Sequence, residues 1–433
     1  MNLVFEQLRV DGRINISKGI EDGIIIKNEE ENEGARNKFW FNDYQYMFKE
    51  IYKDSFEDYA ELISSEIAKE LKINCANYDL AIFQKRYGVI TENFVNENDG
   101  EELVSGTEII NEVYQKHILP LQEICHRYFL ILNHSNLSTD LSNINELELS
   151  KKRELLKEVF ELYLESKVKL NDMDILQYND IKELSVEQID NYLKRMHEIF
   201  VDLNGMYDKE FIKWKNGIIK ANNLFDLWSV IDMYCKINDF NIKSTSNIVK
   251  DLVNLFIYDI ITSQGDRHSN NWGLIVNKNN MSIKLSPIYD NSNMCNLNRT
   301  KVMKTIHSYI EILESKGIQG AKKERLKGRL KKVIYHQKSS LKVIPEDVSD
   351  RNNNTTMITE FINVSSEEIK NEILEKINKL SPECLANIFT RIEQRIKTEI
   401  PKEIKDIVVK TIEININEFT QLLNKREGKQ NGK

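Results

Sequence analysis

An aspartate, an asparagine five residues on and a second aspartate nineteen residues beyond that form the pattern in this chain best suited to chemistry: Asp266, Asn271 and Asp290. They lie in Gly265-Asp266-Arg267-His268-Ser269-Asn270-Asn271-Trp272-Gly273 and in Ser286-Pro287-Ile288-Tyr289-Asp290-Asn291. Mg²⁺ takes hard oxygen ligands in octahedral geometry, usually one or two carboxylates together with substrate phosphates and water. Asn271 and Asp290 supply such oxygens, so they are the candidate metal ligands. A loop aspartate just upstream of a metal-binding asparagine is where phosphoryl transfer places the group that orients or deprotonates the attacking hydroxyl, which makes Asp266 the candidate base. A polar surface turn would also collect Asp, Asn and Ser, but two linked motifs are harder to assign to chance than one.

Positioning these groups requires particular elements. Gly273 to Val276 and Met281 to Leu285 are short apolar runs that predict a hairpin returning the second aspartate towards the first loop. Upstream, Gly23 to Lys27, Lys38 to Phe41 and Tyr44 to Tyr52 are β-prone runs separated by Asn and Asp turns. Phe56, Tyr59, Ala60, Ile63, Ile67 and Leu71 then recur at helical spacing, with Ser55 as the expected N-cap and Asp58 three residues on. Cys75 to Phe83 and Tyr87 to Phe94 alternate as two further strands. Apolar periodicity predicts helices over Ile109–Leu132, Leu147–Tyr163, Val186–Phe200, Phe211–Ile219, Leu224–Tyr234 and Ile248–Thr262. His134 to Ser150, rich in Ser and Asn, is expected to be a loop, Pro345 to Thr356 a break, and Arg426 to Lys433 a disordered tail. No internal repeat is present.

The chain has 433 residues, 41% hydrophobic and 30% charged, with a formal net charge of −8. That length suggests two or three domains, and the composition is that of a globular protein. The most apolar stretches, Ile118 to Leu132 and Leu252 to Ile261, are broken by Glu123, His126, Arg127 or Asp259, so neither a signal peptide nor a membrane span is expected, and the expected location is cytoplasmic. Cys75, Cys125, Cys235, Cys295 and Cys384 are scattered without a Cys-x-x-Cys pair, which predicts reduced thiols and no zinc site. The acidic balance excludes a generic nucleic-acid binder. One segment runs against it: Lys316 to Lys342 holds ten basic residues and a single acidic one, Glu324. It is the only candidate site for nucleic acid or an acidic protein, with a solvated helix face as the other reading.

With these residues in view, the sequence resembles the HipA-like kinases, bacterial serine/threonine kinases that include toxin components of toxin–antitoxin pairs. Members carry Asp-x-His-x-x-Asn and Tyr-Asp where eukaryotic kinases carry His-Arg-Asp and Asp-Phe-Gly; here those positions are Asp266 to Asn271 and Tyr289-Asp290. The similarity extends through Gly34 to Trp40, Met47-Phe48-Lys49, Tyr59-Ala60-Glu61 and Gly88 to Phe94, covering roughly residues 25 to 315.

The resemblance implies ATP and Mg²⁺ as cofactors and a role for each matching residue. Lys49 would contact the α and β phosphates and Glu61 would pair with it, with Glu57 and Glu66 as alternatives. Gly34 would fold over the triphosphate, although one glycine is not a glycine-rich loop. Glu92 to Phe94 would face adenine. His268 lies among the catalytic residues, but its place between base and metal ligand suits packing and hydrogen-bonding the loop better than proton transfer. Arg267 would steady a phosphate or pair with a carboxylate.

Two departures touch the toxin role more than the kinase role. The extra amino-terminal subdomain of longer toxins is not evident, and Lys27 to Lys38 contains no Ser or Thr to accept a silencing phosphate. The expected architecture is α+β: a two-lobed protein-kinase-like fold with an amino-terminal lobe over 1–100, a mostly helical lobe over 101–315 and a C-terminal helical extension over 316–433. The expected activity is phosphorylation of Ser or Thr on a protein substrate, with room for an antitoxin or other regulatory partner. A phosphoinositide-type lipid kinase, which shares Asp-Arg-His-x-x-Asn, and a non-catalytic nucleotide-binding scaffold are the alternatives.

Overall fold

The computed structural model describes residues 3–31, 36–137, 141–166, 180–215, 224–240, 245–315, 317–335 and 367–430. The chain divides into two compact units, one formed by residues 1–106, 220–235 and 239–433, the other by residues 107–219 and 236–238.

The first unit opens with α1 (Leu3–Glu6), β1 (Arg9–Val10), β2 (Arg13–Asn15) and α2 (Ile16–Glu21), none of which the sequence pattern predicted. β3 (Lys27–Glu31), β4 (Lys38–Phe41) and β5 (Tyr46–Glu50) follow; the first of these strands starts where Gly23 to Lys27 was expected to end. Then come α3 (Glu57–Glu70), β6 (Tyr78–Phe83), β7 (Arg86–Glu92) and β8 (Glu101–Ser105). Seven strands form one sheet in the order β1-β2-β6-β7-β5-β4-β3, antiparallel except where β2 meets β6. Phe5, Phe39, Phe41, Phe48 and Ile90 pack into its core, a set of aromatic and β-branched side chains that suits a pleated buried face. Gly88 allows β7 to lie close against β5, since a Cβ there would stand 2.4 Å from the Lys49 carbonyl oxygen.

The expected N-cap of α3 is corrected. Phe56 occupies that position without a side-chain cap, and the Ser55 hydroxyl donates instead to the Tyr52 carbonyl. Glu57 and Asp58 in the first turn still meet the helix dipole favourably.

The second unit is helical: α4 (Gly106–Val113, of which Gly106 belongs to the first unit), α5 (Leu119–His134), α6 (Leu149–Ser166) and α7 (Val186–Lys215). The single helix expected over Ile109–Leu132 is interrupted by a π-type turn at Tyr114–Ile118, just before Pro120, which has no N–H to give to an α-helical bond. Tyr128 stacks on Phe200 at 4.4 Å in the core of this unit.

The first unit resumes with α8 (Leu224–Ile237, ending in the second), α9 (Thr245–Ile261), the hairpin of β9 (Gly273–Asn277) and β10 (Ser282–Leu285), α10 (Thr300–Glu314), α11 (Gly320–Tyr335), α12 (Glu367–Ile377), α13 (Pro382–Ile396) and α14 (Lys402–Gln430). The expected hairpin is thus present, and β8 extends it to a three-stranded sheet, β10-β9-β8. α14 continues to Gln430, into the segment expected to be a tail; the expected break at 345–356 and Gly34 lie outside the described residues. The architecture is α+β as expected, an amino-terminal sheet with one long helix inserted and a mostly helical remainder. No disulfide joins the five cysteines, and Cys125, Cys235 and Cys295 are buried. Among the described residues, no helix is long and apolar enough to cross a membrane.

Candidate active site

Lys49 points from β5 into a buried junction of charges. Its ammonium lies 2.7 Å from Asp290 Oδ1 and 3.2 Å from Glu61 Oε1. Burial alone would favour the neutral amine, but the two carboxylates outweigh it and hold Lys49 charged. Burial also pushes the Asp290 carboxyl up, yet Lys49 overcomes that and holds it well below the usual carboxylate range. Glu61 is pushed up to about 7 by burial, with Lys49 drawing it down and Asp290 raising it. Its second oxygen accepts the Asn291 amide at 2.8 Å, so one α3 side chain holds both the lysine and the segment bearing Asp290.

The alternatives to Glu61 are engaged elsewhere. Glu57 pairs with Arg36 at 2.7 Å, and the Arg36 guanidinium lies 4.1 Å over the Tyr52 ring. Glu66 pairs with Lys69 and Arg395.

Arg267 is the residue whose role the sequence left open, and the geometry settles it. Its side chain is fully buried and ion-paired at 2.9 Å with Asp259, itself fully buried on α9. The remaining guanidinium protons go to the carbonyls of Asn271 at 2.9 Å and Tyr289 at 2.6 Å and to Asn291 Oδ1 at 2.7 Å. All five donors of the rigid fork are therefore used, and the two loops that carry the candidate metal ligands are tied to α9 and to each other.

Within the first loop, Asn271 Nδ2 donates to the Asp266 carbonyl at 2.7 Å. A carbonyl can only accept, so this bond assigns the amide nitrogen inward and leaves Asn271 Oδ1 for a cation. An ionised Asp290 carboxylate and an amide oxygen are the hard donors Mg²⁺ prefers, with phosphates and water expected to complete the shell. The residues present fit the ion. Asp266 is exposed on the same loop. His268 Nδ1 accepts the Asn270 amide and caps the short turn Ser269–Asn271, which gives the imidazole a loop-shaping job.

No family model matches the sequence, and no curated protein matches it. Among solved structures, the Helicobacter pylori proinflammatory kinase CtkA is similar over 91% of this chain and 95% of its own, at 14% identity and a TM-score of 0.46. HipA of Shewanella oneidensis, solved with HipB and operator DNA, is similar over 94% of this chain and 70% of that chain, at 10% identity and a TM-score of 0.35.

Around the Asp290 segment lie residues that the sequence did not single out. Tyr78 is buried and its hydroxyl accepts the Asp290 amide at 3.2 Å, and Gln264 donates to the Asp290 carbonyl at 3.0 Å. Asp259 is invisible to motif spacing because its partner is a loop residue rather than a substrate. Of the expected adenine-facing residues, Phe94 stacks on Tyr289 at 5.8 Å and packs against Ala76, Tyr78 and Val89, while Glu92 ends β7 opposite Tyr46.

The basic segment forms α11, with Lys316, Lys338 and Lys342 outside the described residues. Lys323, Lys327 and Lys331 line a groove of about 400 Å³ shared with α10 and α14. Lys322, Arg325, Arg329 and Lys332 are exposed.

Proposed function

We propose that this chain is an ATP- and Mg²⁺-dependent kinase of the HipA-like kind that phosphorylates Ser or Thr on a protein. The observation that carries the reading is the Lys49 ammonium held between Glu61 and Asp290, with Arg267 tying the Asp290 segment to the loop of Asn271, whose amide nitrogen is committed to the backbone. A lysine paired with a helix carboxylate is what phosphoryl transfer uses to hold nucleotide phosphates, and a carboxylate kept ionised is what it uses on the metal. Mg²⁺ would be held by Asn271 and Asp290 and would supply charge neutralisation on the transferring phosphate.

Without nucleotide, Lys49 and Asp290 neutralise each other. On binding, Asp290 would serve the cation while Lys49 keeps Glu61 and turns its remaining protons to phosphate oxygens. Asp266, exposed on its loop, would receive a hydroxyl from a second molecule and orient it for in-line attack. Arg267 is fully buried and so has no free donor for a lipid headgroup, which weakens the lipid-kinase alternative. A pure scaffold would have no use for Asp266. A cytoplasmic location, a regulatory partner such as an antitoxin, and nucleic acid at α11 belong to this reading as further proposals.

The test is γ-phosphate incorporation by purified full-length protein. Asp266→Asn should abolish transfer, a loss of at least about a hundredfold, while Mg·ATP binding by calorimetry stays within a factor of a few. Asp290→Ala should lose the Mg²⁺-dependent part of that binding. Near-normal transfer by Asp266→Asn, or unchanged Mg·ATP affinity in Asp290→Ala, would overturn the assignment.

A further inference from the structure

The last two described helices lie against the elements that carry the site. α13 buries Leu385, Ile388, Phe389, Ile392 and Ile396 and presents Arg391 and Arg395, one helical turn apart. Arg395 Nη1 reaches Glu66 Oε1 at 2.9 Å, and Arg391 Nη2 reaches Glu70 Oε2 at 2.9 Å. Residue numbers rise along one helix as they fall along the other, so α13 runs antiparallel to α3. At about 100° per residue, Glu66 and Glu70 project roughly 140° and 180° away from Glu61. α13 therefore supports the back of the helix whose front holds Lys49. Arg395 Nη2 also lies 3.4 Å from the Tyr78 carbonyl, on the residue whose hydroxyl receives the Asp290 amide.

α14 does the equivalent for the other half of the site. Asn415 is buried, and its Nδ2 donates to the Ile261 carbonyl at 2.8 Å and to Ser263 Oγ at 2.9 Å. Ile261 ends α9, where carbonyls lack helical partners, and Ser263, at φ +52°, turns the chain into the loop that carries Asp266.

We infer that α13 and α14 are positioning elements of the proposed phosphoryl-transfer site. Arg395 holds α3 so that Glu61 faces Lys49, and Asn415 holds the stem of the Asp266 loop. The inference rests on the kinase reading above. Arg391 is half exposed and Glu70 a third exposed, so that pair contributes little; Arg395, paired with the largely buried Glu66 and bonded to both α3 and β6, carries the positioning.

The experiment uses full-length Arg395→Glu, Glu66→Arg, the double exchange of both charges, and the milder Arg395→Gln, in case a reversed charge fails to fold. Each is assayed for transfer at saturating ATP, for KM, and for amide exchange over residues 57–70. Either single reversal should lower kcat about tenfold with KM for ATP within threefold, and should speed α3 exchange about tenfold. Arg395→Gln should fall between these and the intact chain, and the double exchange should recover to within threefold on both readouts. Wild-type kcat and exchange in the single variants, or a double exchange no better than the worse single, would overturn the inference. If the intact chain and Asp266→Asn incorporate equal phosphate, the kinase reading fails, and the α3 exchange series still decides whether Arg395 holds that helix.

Discussion

Two ion pairs flank Asp290 and behave oppositely. Arg267 and Asp259 are both fully buried, and every guanidinium proton has a fixed acceptor. Lys49 is also buried, but its nearer partner Asp290 keeps about a third of its side chain exposed. Burial raises the Asp259 carboxyl even beside Arg267, whereas Lys49 holds Asp290 well below the usual range. The first pair is a fixed strut: opening it would strand a charge with no water to take it. The second is an exchangeable contact, one partner of which can pass to a cation without leaving a buried orphan. Rigidity around the loops and looseness at the candidate ligands are thus built from the same chemistry at different depths.

The difference is easiest to break at the strut. Arg267→Met should cost about 3–5 kcal/mol in urea unfolding, because it leaves Asp259 buried and three backbone or amide acceptors unmet. A cost below about 1 kcal/mol would mean the pair is not fixed at all.

Glu61 sharpens the comparison through pH. Its folded carboxyl titrates at about 7, above its ordinary 4.5, so it favours folding below about 4.5, and that contribution is lost as pH rises through 7. The stability difference between the intact chain and Glu61→Gln should therefore shift by up to about 3 kcal/mol between pH 4.5 and 8 in the nucleotide-free state, the intact chain losing ground as pH rises. Parallel stability profiles for the two proteins would show that Glu61 is already ionised beside Lys49.

The smallest effect on stability is expected at the exchangeable pair. Lys49→Met should cost about 1–2 kcal/mol, less than Arg267→Met, because Asp290 is a third exposed and the buried Glu61, already pushed up to about 7, can take a proton when its partner is lost, while phosphate transfer falls at least about a hundredfold. A Lys49 variant destabilised as severely as Arg267→Met would erase the distinction.

Motif spacing singled out Asp266, Asn271 and Asp290, and the resemblance added Lys49 and Glu61, which the fold brings to Asp290. Those residues were legible because hairpin and strand-helix geometry is local: β9 and β10 return the chain, and the pairing of β5 with β7 sets the direction of Lys49. The supports were not legible. Asp259, Tyr78 and Arg395 meet the site through contacts that no period or turn signal encodes. Ser55 had the right residue type for a cap but found a nearer carbonyl. The short elements before Gly23 escaped notice because two- and three-residue strands are too brief to show alternation.

The contacts of α13 with α3 join residues 329 and 321 positions apart in sequence, and this separation has a meaning in time. A ribosome adding about 5–20 residues per second completes the Asp266 loop some ten seconds before Arg395 exists. Through that interval a nascent chain holds Lys49, Glu61, Asp266 and Asp290 without the helix that contacts Glu66 and Glu70 on the far side of α3. If α13 acts as inferred, the proposed transfer waits until Arg395 has been made, and fragments released before it by a premature stop would be silent rather than partly active.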